Sequence, residues 1–119
     1  MILEQQFYKI INRSDEQFLK FQVQFNPESE ILKAHFPGQP IVPGACLTQI
    51  CKEIMEKMEG KMIQIQEFKN LKFINTINPE QINDILFEVS QKKMEASTLA
   101  QFKILSSTTL FAKIEFFYL

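Results

Sequence analysis

The chain of 119 residues has no tryptophan, one histidine, two cysteines and three glycines. Its 13 basic and 14 acidic side chains nearly cancel, so no excess of positive charge indicates a nucleic-acid partner. No apolar run approaches the roughly 18 residues that a membrane-spanning helix needs. The first ten residues lack the basic start and apolar stretch of a secretory signal. We therefore expect a cytoplasmic protein.

The two cysteines also exclude some kinds of site. Cys46 and Cys51 have the spacing of neither a zinc-binding pair nor a redox CxxC motif. We expect them to be buried, reduced thiols, and we expect no metal site.

Composition favours one globular domain. About 45% of the residues are hydrophobic and 23% are charged. A chain of this length buries enough surface to fold without disulfide bonds or a structural metal. The twelve phenylalanines predict an aromatic core. We expect a single domain over residues 1–119.

Hydrophobic periodicity predicts the elements. Period-two alternation indicates strands, and apolar residues at helical spacing indicate one helix that starts near Gly44 and stops at Gly60. Proline and glycine in residues 28–44 favour an irregular loop. The expected strands are 6–12, 19–25, 62–76 (with an irregularity near 67–70), about 85–89, 97–105 and 110–118. Short connections predict an α+β fold, with a mostly antiparallel sheet against one long helix.

The segment with chemical meaning is HFPGQPIVPG, from His35 to Gly44. His35 is the only histidine, and histidine exchanges protons near neutral pH. Gly44 opens the predicted helix, where free backbone N–H groups meet the positive end of the helix dipole. A carbonyl bound there would be polarised while a nearby imidazole removed an α-proton.

This segment resembles the active-site motif HFPGxPxxPG of the 3-hydroxyacyl-acyl-carrier-protein dehydratases (FabZ/FabA-like). The resemblance implies a hot-dog fold, in which a curled sheet wraps around one long central helix. It also implies His35 as the base and Gly44 as the amide that binds the thioester carbonyl. The substrate would arrive on the phosphopantetheine of acyl carrier protein or coenzyme A, with no other cofactor. Family members are dimers or dimers of dimers.

The chain departs from the family pattern at the second catalytic group. The family has a helix carboxylate fourteen residues after the histidine, and Gln49 stands there, which cannot act as an ordinary general acid. The family often has glutamine four residues later, and this chain has Glu53. Since residues i and i+4 are neighbours on a helix, we hypothesise that Glu53 supplies the acid through Gln49 or a water. The alternative is that Glu53 is a solvated residue paired with Lys57.

The resemblance nominates further residues around the site. Candidates for substrate binding are Phe36, Pro37, Gly38, Pro43, Ile50 and Phe68, of which Phe36, Ile50 and Phe68 could equally be core residues. Lys69 and Lys72 are candidates for docking the carrier protein, or they are ordinary solvated lysines.

Three functions stay open. The first is a 3-hydroxyacyl thioester dehydratase of fatty acid or related polyketide or polyene-type synthesis. The second is a non-catalytic acyl-binding subunit or the partner of a complete paralogue, a reading that Gln49 supports. The third is an acyl thioesterase, against which the HFPG loop argues.

Overall fold

The computed structural model describes residues 3–14, 19–35, 38, 41–82 and 84–119. Two strands come first, then two helices, then four strands. They are β1 (Tyr8–Ser14), β2 (Leu19–Phe25), α1 (Glu30–His35), α2 (Gly44–Glu59), β3 (Ile65–Phe73), β4 (Asp84–Lys93), β5 (Thr98–Leu105) and β6 (Leu110–Tyr118). The predicted order is confirmed apart from α1.

Helix α1 lies in the segment that we expected to be irregular. Two residues mark the start and the end of this short helix. Glu30 stands in the first turn, where the helix dipole favours an acid, and Pro37 follows two residues after the helix ends. The Lys33 amide bonds to the Ser29 carbonyl at 3.1 Å and starts the turn. The expectation of a wholly irregular loop was wrong because six residues carry too little periodicity to be recognised.

Helix α2 is the long helix that the apolar stripe predicts. It begins at Gly44 and ends before Gly60, which adopts the left-handed conformation (φ 72°) and donates its N–H to the Glu56 carbonyl. A left-handed residue at this point closes the last turn, and glycine adopts it without steric cost. The side chains that α2 buries are Cys46, Leu47, Ile50, Cys51, Glu53, Ile54 and Met55.

The six strands form one antiparallel sheet in the order β1-β2-β4-β5-β6-β3. Alternate side chains point to the helix and make the predicted aromatic core, which includes Phe21, Phe87, Phe102 and Phe116. This is the expected α+β hot-dog arrangement, a curled sheet around one long helix. Among the described residues, no helix combines the length and the apolar character of a membrane span.

Strand β3 forms one edge of the sheet, and among the strands that the structure describes it pairs with β6 alone. Its register shifts between Phe68 and Asn70, which confirms the irregularity predicted near 67–70. The extra residue of such a bulge changes which side chains face inward. Phe68 and Leu71 therefore both point to the inner face, although three positions separate them.

Candidate active site

The start of α2 provides a backbone site for a polar ligand. Pro43 precedes the helix in an extended conformation, and its carbonyl accepts bonds from the amides of Cys46 (3.0 Å) and Leu47 (3.2 Å). Among the described residues, no side chain forms a capping hydrogen bond at this end. The N–H of Gly44 lies in the first turn, where backbone amides have no carbonyl partner within the helix. It also lies at the positive end of the helix dipole. The helix therefore begins at Gly44 as predicted, and the carbonyl-binding role of its N–H stays a prediction.

The segment before α2 is tied to the rest of the fold. The Val42 amide donates to the Ile77 carbonyl at 2.9 Å, and Val42 is buried. The helix start is therefore anchored on both sides, by this bond and by the buried face of α2. A backbone donor held in this way needs no reorganisation when it binds a ligand.

The ring of Phe73 covers Gly44. A Cβ atom on Gly44 would lie 2.9 Å from Phe73 Cζ and 3.1 Å from Cε1, closer than side chains tolerate. Only glycine lets the ring lie this close to the helix start. Phe73 stands at the end of β3, and the motif gave no signal for it.

An open apolar surface runs along β3 beside Gly44. Phe68, Leu71 and Phe73 pair with Phe116, Ile114 and Ala112, whose side chains lie in the core, so all three face inward. Their exposed fractions are nevertheless 41%, 45% and 50%. Exposed apolar side chains gathered on one face mark a binding or interaction surface. Of these three residues, only Phe68 was a predicted site residue.

The other predicted site residues divide into three groups. Gly38 is described, is exposed and has φ 79°, a conformation that glycine adopts readily. His35 ends α1, but its side chain lies outside the described part of the chain, as do Phe36 and Pro37. Ile50 is fully buried among core residues, so within this chain it packs in the core and lines no accessible surface.

Gln49 and Glu53 are in contact, as their spacing on α2 predicts. The Gln49 side-chain amide donates from Nε2 to Glu53 Oε2 at 2.9 Å. Glu53 is only 8% exposed, so the alternative of a solvated residue is wrong. Lys57 bonds instead to Glu4, at 2.7 Å.

Three more donors converge on the Glu53 carboxylate. The Leu3 amide bonds to Oε2 at 2.8 Å, the Glu4 amide to Oε1 at 2.9 Å, and the Tyr8 hydroxyl to Oε1 at 3.0 Å. Burial, and next the negative charge of Glu53, raise the pKa of Tyr8, so Tyr8 remains a donor. Each carboxylate oxygen thus accepts two bonds, which uses the acceptor positions of an ionised carboxylate.

Comparison with known proteins gives the family and the fold of this chain. The family model described as ApeI dehydratase matches residues 11–114. The chain belongs to the ApeI-like family. One chain of the Dehydratase Heterocomplex ApeI:P from Xenorhabdus doucetiae superposes on this chain with a TM-score of 0.72. The two are 15% identical, over 92% of this chain and 95% of that one.

Two further relatives share the architecture or part of the sequence. The 3-hydroxyacyl-[acyl-carrier-protein] dehydratase FabZ of Fusobacterium nucleatum subsp. nucleatum is 26% identical over 86 residues, 68% of this chain. The match covers 60% of that relative's length. The yhdA protein of Lactococcus lactis, provisionally assigned as a thioesterase, has a TM-score of 0.64 at 14% identity, over 99% of this chain and 95% of that one. The structural likenesses show the hot-dog fold.

The cysteines are as predicted for this member of the ApeI-like family. Cys46 and Cys51 are free and buried. Burial raises the pKa of both thiols, which keeps them protonated and poorly nucleophilic.

The two lysines predicted for carrier docking are both exposed. Lys72 pairs across the sheet with Lys113, which in turn pairs with Lys103. Lys72 therefore lies on the outer face of β3, opposite Phe73. Nothing in the described structure pairs these side chains with a carboxylate within 4.0 Å, and their docking role stays a prediction.

Proposed function

We propose that this chain acts on 3-hydroxyacyl thioesters as a dehydratase in the cytoplasm. The observation that carries the proposal is the uncapped start of α2 at Gly44, which opens beside the apolar inner face of β3. A thioester carbonyl at the Gly44 N–H would place its acyl chain along Phe68 and Leu71. Family membership supports the same chemistry.

The proposed reaction uses the motif residues in separate roles. His35 removes the α-proton, and the negative charge that develops on the thioester oxygen is stabilised by the Gly44 N–H and the helix dipole. The 3-hydroxyl accepts a proton and leaves as water, while the double bond forms between C2 and C3. The thioester to the phosphopantetheine of carrier protein or coenzyme A stays intact, and no other cofactor takes part.

We propose that a second chain completes the site. The inner face of β3 is apolar and exposed, and no other described strand pairs with the outer edge of β3. An edge with unpaired backbone groups and apolar side chains favours pairing with another strand. A dimer through β3 would cover Leu71 and enclose the surface beside Gly44.

Apart from the proton that His35 takes from C2, neither Gln49 nor Glu53 supplies one for the leaving hydroxyl. Gln49 carries no titrating proton, and Glu53 is engaged by four donors. A homodimer would bring only a second Gln49. This favours a second candidate function, a subunit that pairs with a paralogue bearing the acid. The likeness to a dehydratase heterocomplex supports it.

Mass spectrometry of a 3-hydroxyacyl carrier protein tests the proposal. The substrate is incubated with the purified chain, with the chain plus its acid-bearing paralogue, and with His35→Ala in both settings. Loss of one water that disappears with His35→Ala supports the dehydratase, and loss that requires the paralogue supports the two-chain site. Release of free hydroxy acid would instead identify a thioesterase, the activity provisionally assigned to the Lactococcus lactis protein.

A further inference from the structure

We propose that Glu53 and Tyr8 are positioning residues that hold the Gln49 amide in one orientation. This inference rests on the proposed function, and it adds that residue 49, at the position of the family's helix carboxylate, faces the leaving hydroxyl. It assigns a task to a buried carboxylate that the reaction itself does not use. It also makes the N-terminal turn, residues 3–8, part of the active-site scaffold.

The carboxylate of Glu53 determines which end of the Gln49 amide faces it. An ionised carboxylate only accepts hydrogen bonds, whereas the amide has a donor end and an acceptor end. The contact at 2.9 Å therefore requires Nε2 toward Glu53, because a flipped amide would place two acceptor oxygens against each other. Oε1 is thereby turned away from Glu53.

Tyr8 keeps Glu53 in place for this task. Its hydroxyl bonds to Oε1, the carboxylate oxygen that Gln49 does not use. Tyr8 itself is buried at the start of β1, next to Phe7, whose ring packs against Phe25 at a centroid distance of 5.6 Å. A donor on a rigid strand therefore fixes the side chain of a residue on the helix.

The N-terminal turn is shaped to supply the other two donors. Gln5 adopts a left-handed conformation, φ 73°, which is uncommon for residues other than glycine. Its amide bonds to the Tyr8 carbonyl at 2.7 Å, and the Phe7 amide bonds to the Leu3 carbonyl at 2.8 Å. The backbone turns sharply here, and the amides of Leu3 and Glu4 both reach Glu53.

This arrangement explains why an amide stands at residue 49. Because both oxygens of Glu53 act as hydrogen-bond acceptors, Gln49, its neighbour one helical turn earlier, must be a donor. A second ionised carboxylate would be repelled. In this chain the acid and the amide thus stand in the reverse of the family's order, and the acid binds the N-terminal turn.

Tyr8→Phe tests the inference in the assembled active protein. The substitution removes the hydroxyl and keeps the buried ring. We expect kcat to fall about fivefold, the factor that one net hydrogen bond of about 1 kcal/mol represents. KM should be unchanged, because residue 49 acts on the leaving hydroxyl. The matched control is Lys57→Gln, which breaks the exposed ion pair with Glu4 between the same two elements and should leave kcat unchanged. An unchanged kcat in Tyr8→Phe, or an equal loss in both variants, would overturn the inference.

A second measurement does not depend on catalysis. The side-chain NH2 signals of Gln49 are assigned in 15N spectra by their loss in Gln49→Met. In Tyr8→Phe these signals should move and exchange faster with solvent, and in Lys57→Gln they should not. Unmoved signals in Tyr8→Phe would refute the positioning role. An inactive wild type with responsive signals would refute the proposed function alone.

Discussion

A carboxylate introduced at residue 49 probes the geometry around Glu53 most directly. Gln49→Glu replaces the donor that lies 2.9 Å from Glu53 Oε2 by a group of the same shape. Two carboxylates in contact have charge centres roughly 4 Å apart, and at an effective dielectric constant of 20 they repel by about 4 kcal/mol. That energy corresponds to about three pKa units, so the introduced carboxyl should titrate near 7 instead of about 4.3.

The sign of the effect on stability follows from proton binding. Between about pH 4 and pH 7 the folded variant holds a proton that the unfolded chain has lost, so the free energy of unfolding falls as pH rises. Relative to wild type, it should drop by about 2–3 kcal/mol between pH 5 and pH 8. Urea unfolding at both pH values measures this difference.

The same experiment has a control and a clear contrary result. Gln66→Glu, on exposed β3, should show little pH-dependent change, since solvent screens its charge. Equal stability changes for Gln49→Glu at pH 5 and pH 8 would mean that residue 49 does not lie against an ionised Glu53. Below pH 7 the introduced carboxyl stays neutral, so it should also act as a general acid and raise the dehydration rate of the chain alone.

Three other outcomes can be checked. Gly44→Ala should change the free energy of unfolding by less than about 1 kcal/mol, since the half-exposed ring of Phe73 can move. The same substitution should lower thioester turnover at least about tenfold in steady-state assays. A loss of more than about 3 kcal/mol in the free energy of unfolding would show that the Phe73 ring cannot move aside. Leu71→Lys should dissociate the proposed dimer in sedimentation experiments, and an unchanged mass would exclude β3 as the interface. The pKa values of Tyr8 and Tyr118 are both raised by burial, so at about pH 10 the absorbance at 295 nm should show less ionised tyrosine in the folded protein than in urea; equal absorbance would refute their burial.

Several features could be predicted because their causes are local. The alternation along 19–25 and 110–118 sets which side chains face the helix, and Gly60 ends α2 through its own backbone freedom. The bulge in β3 was detectable as a break in period two. The motif nominated Gly44 because proline and glycine at positions 43 and 44 mark the start of a helix, which is a local property of the backbone.

Other features depend on residues that lie far apart in the chain. Phe73 covers Gly44 only because β3 lies at the sheet edge beside the start of α2, and no spacing in the sequence reports that edge. The spacing of Gln49 and Glu53 predicted their contact, but it left open whether Glu53 was an acid or a solvated residue. The answer came from Leu3, Glu4 and Tyr8, which are at least 45 positions away.

The sequence by itself determined the element order, the inward faces of the strands and the chemistry of the helix start, since these follow from side-chain period and backbone conformation within a few residues. Tertiary structure alone decided the environment of each polar group. Folding buried Glu53 among four hydrogen-bond donors, and strand order left an apolar surface open beside Gly44. Solvation and neighbouring charge depend on what folding brings together, and this is why the pattern of residues could place the site but not assign all of its roles.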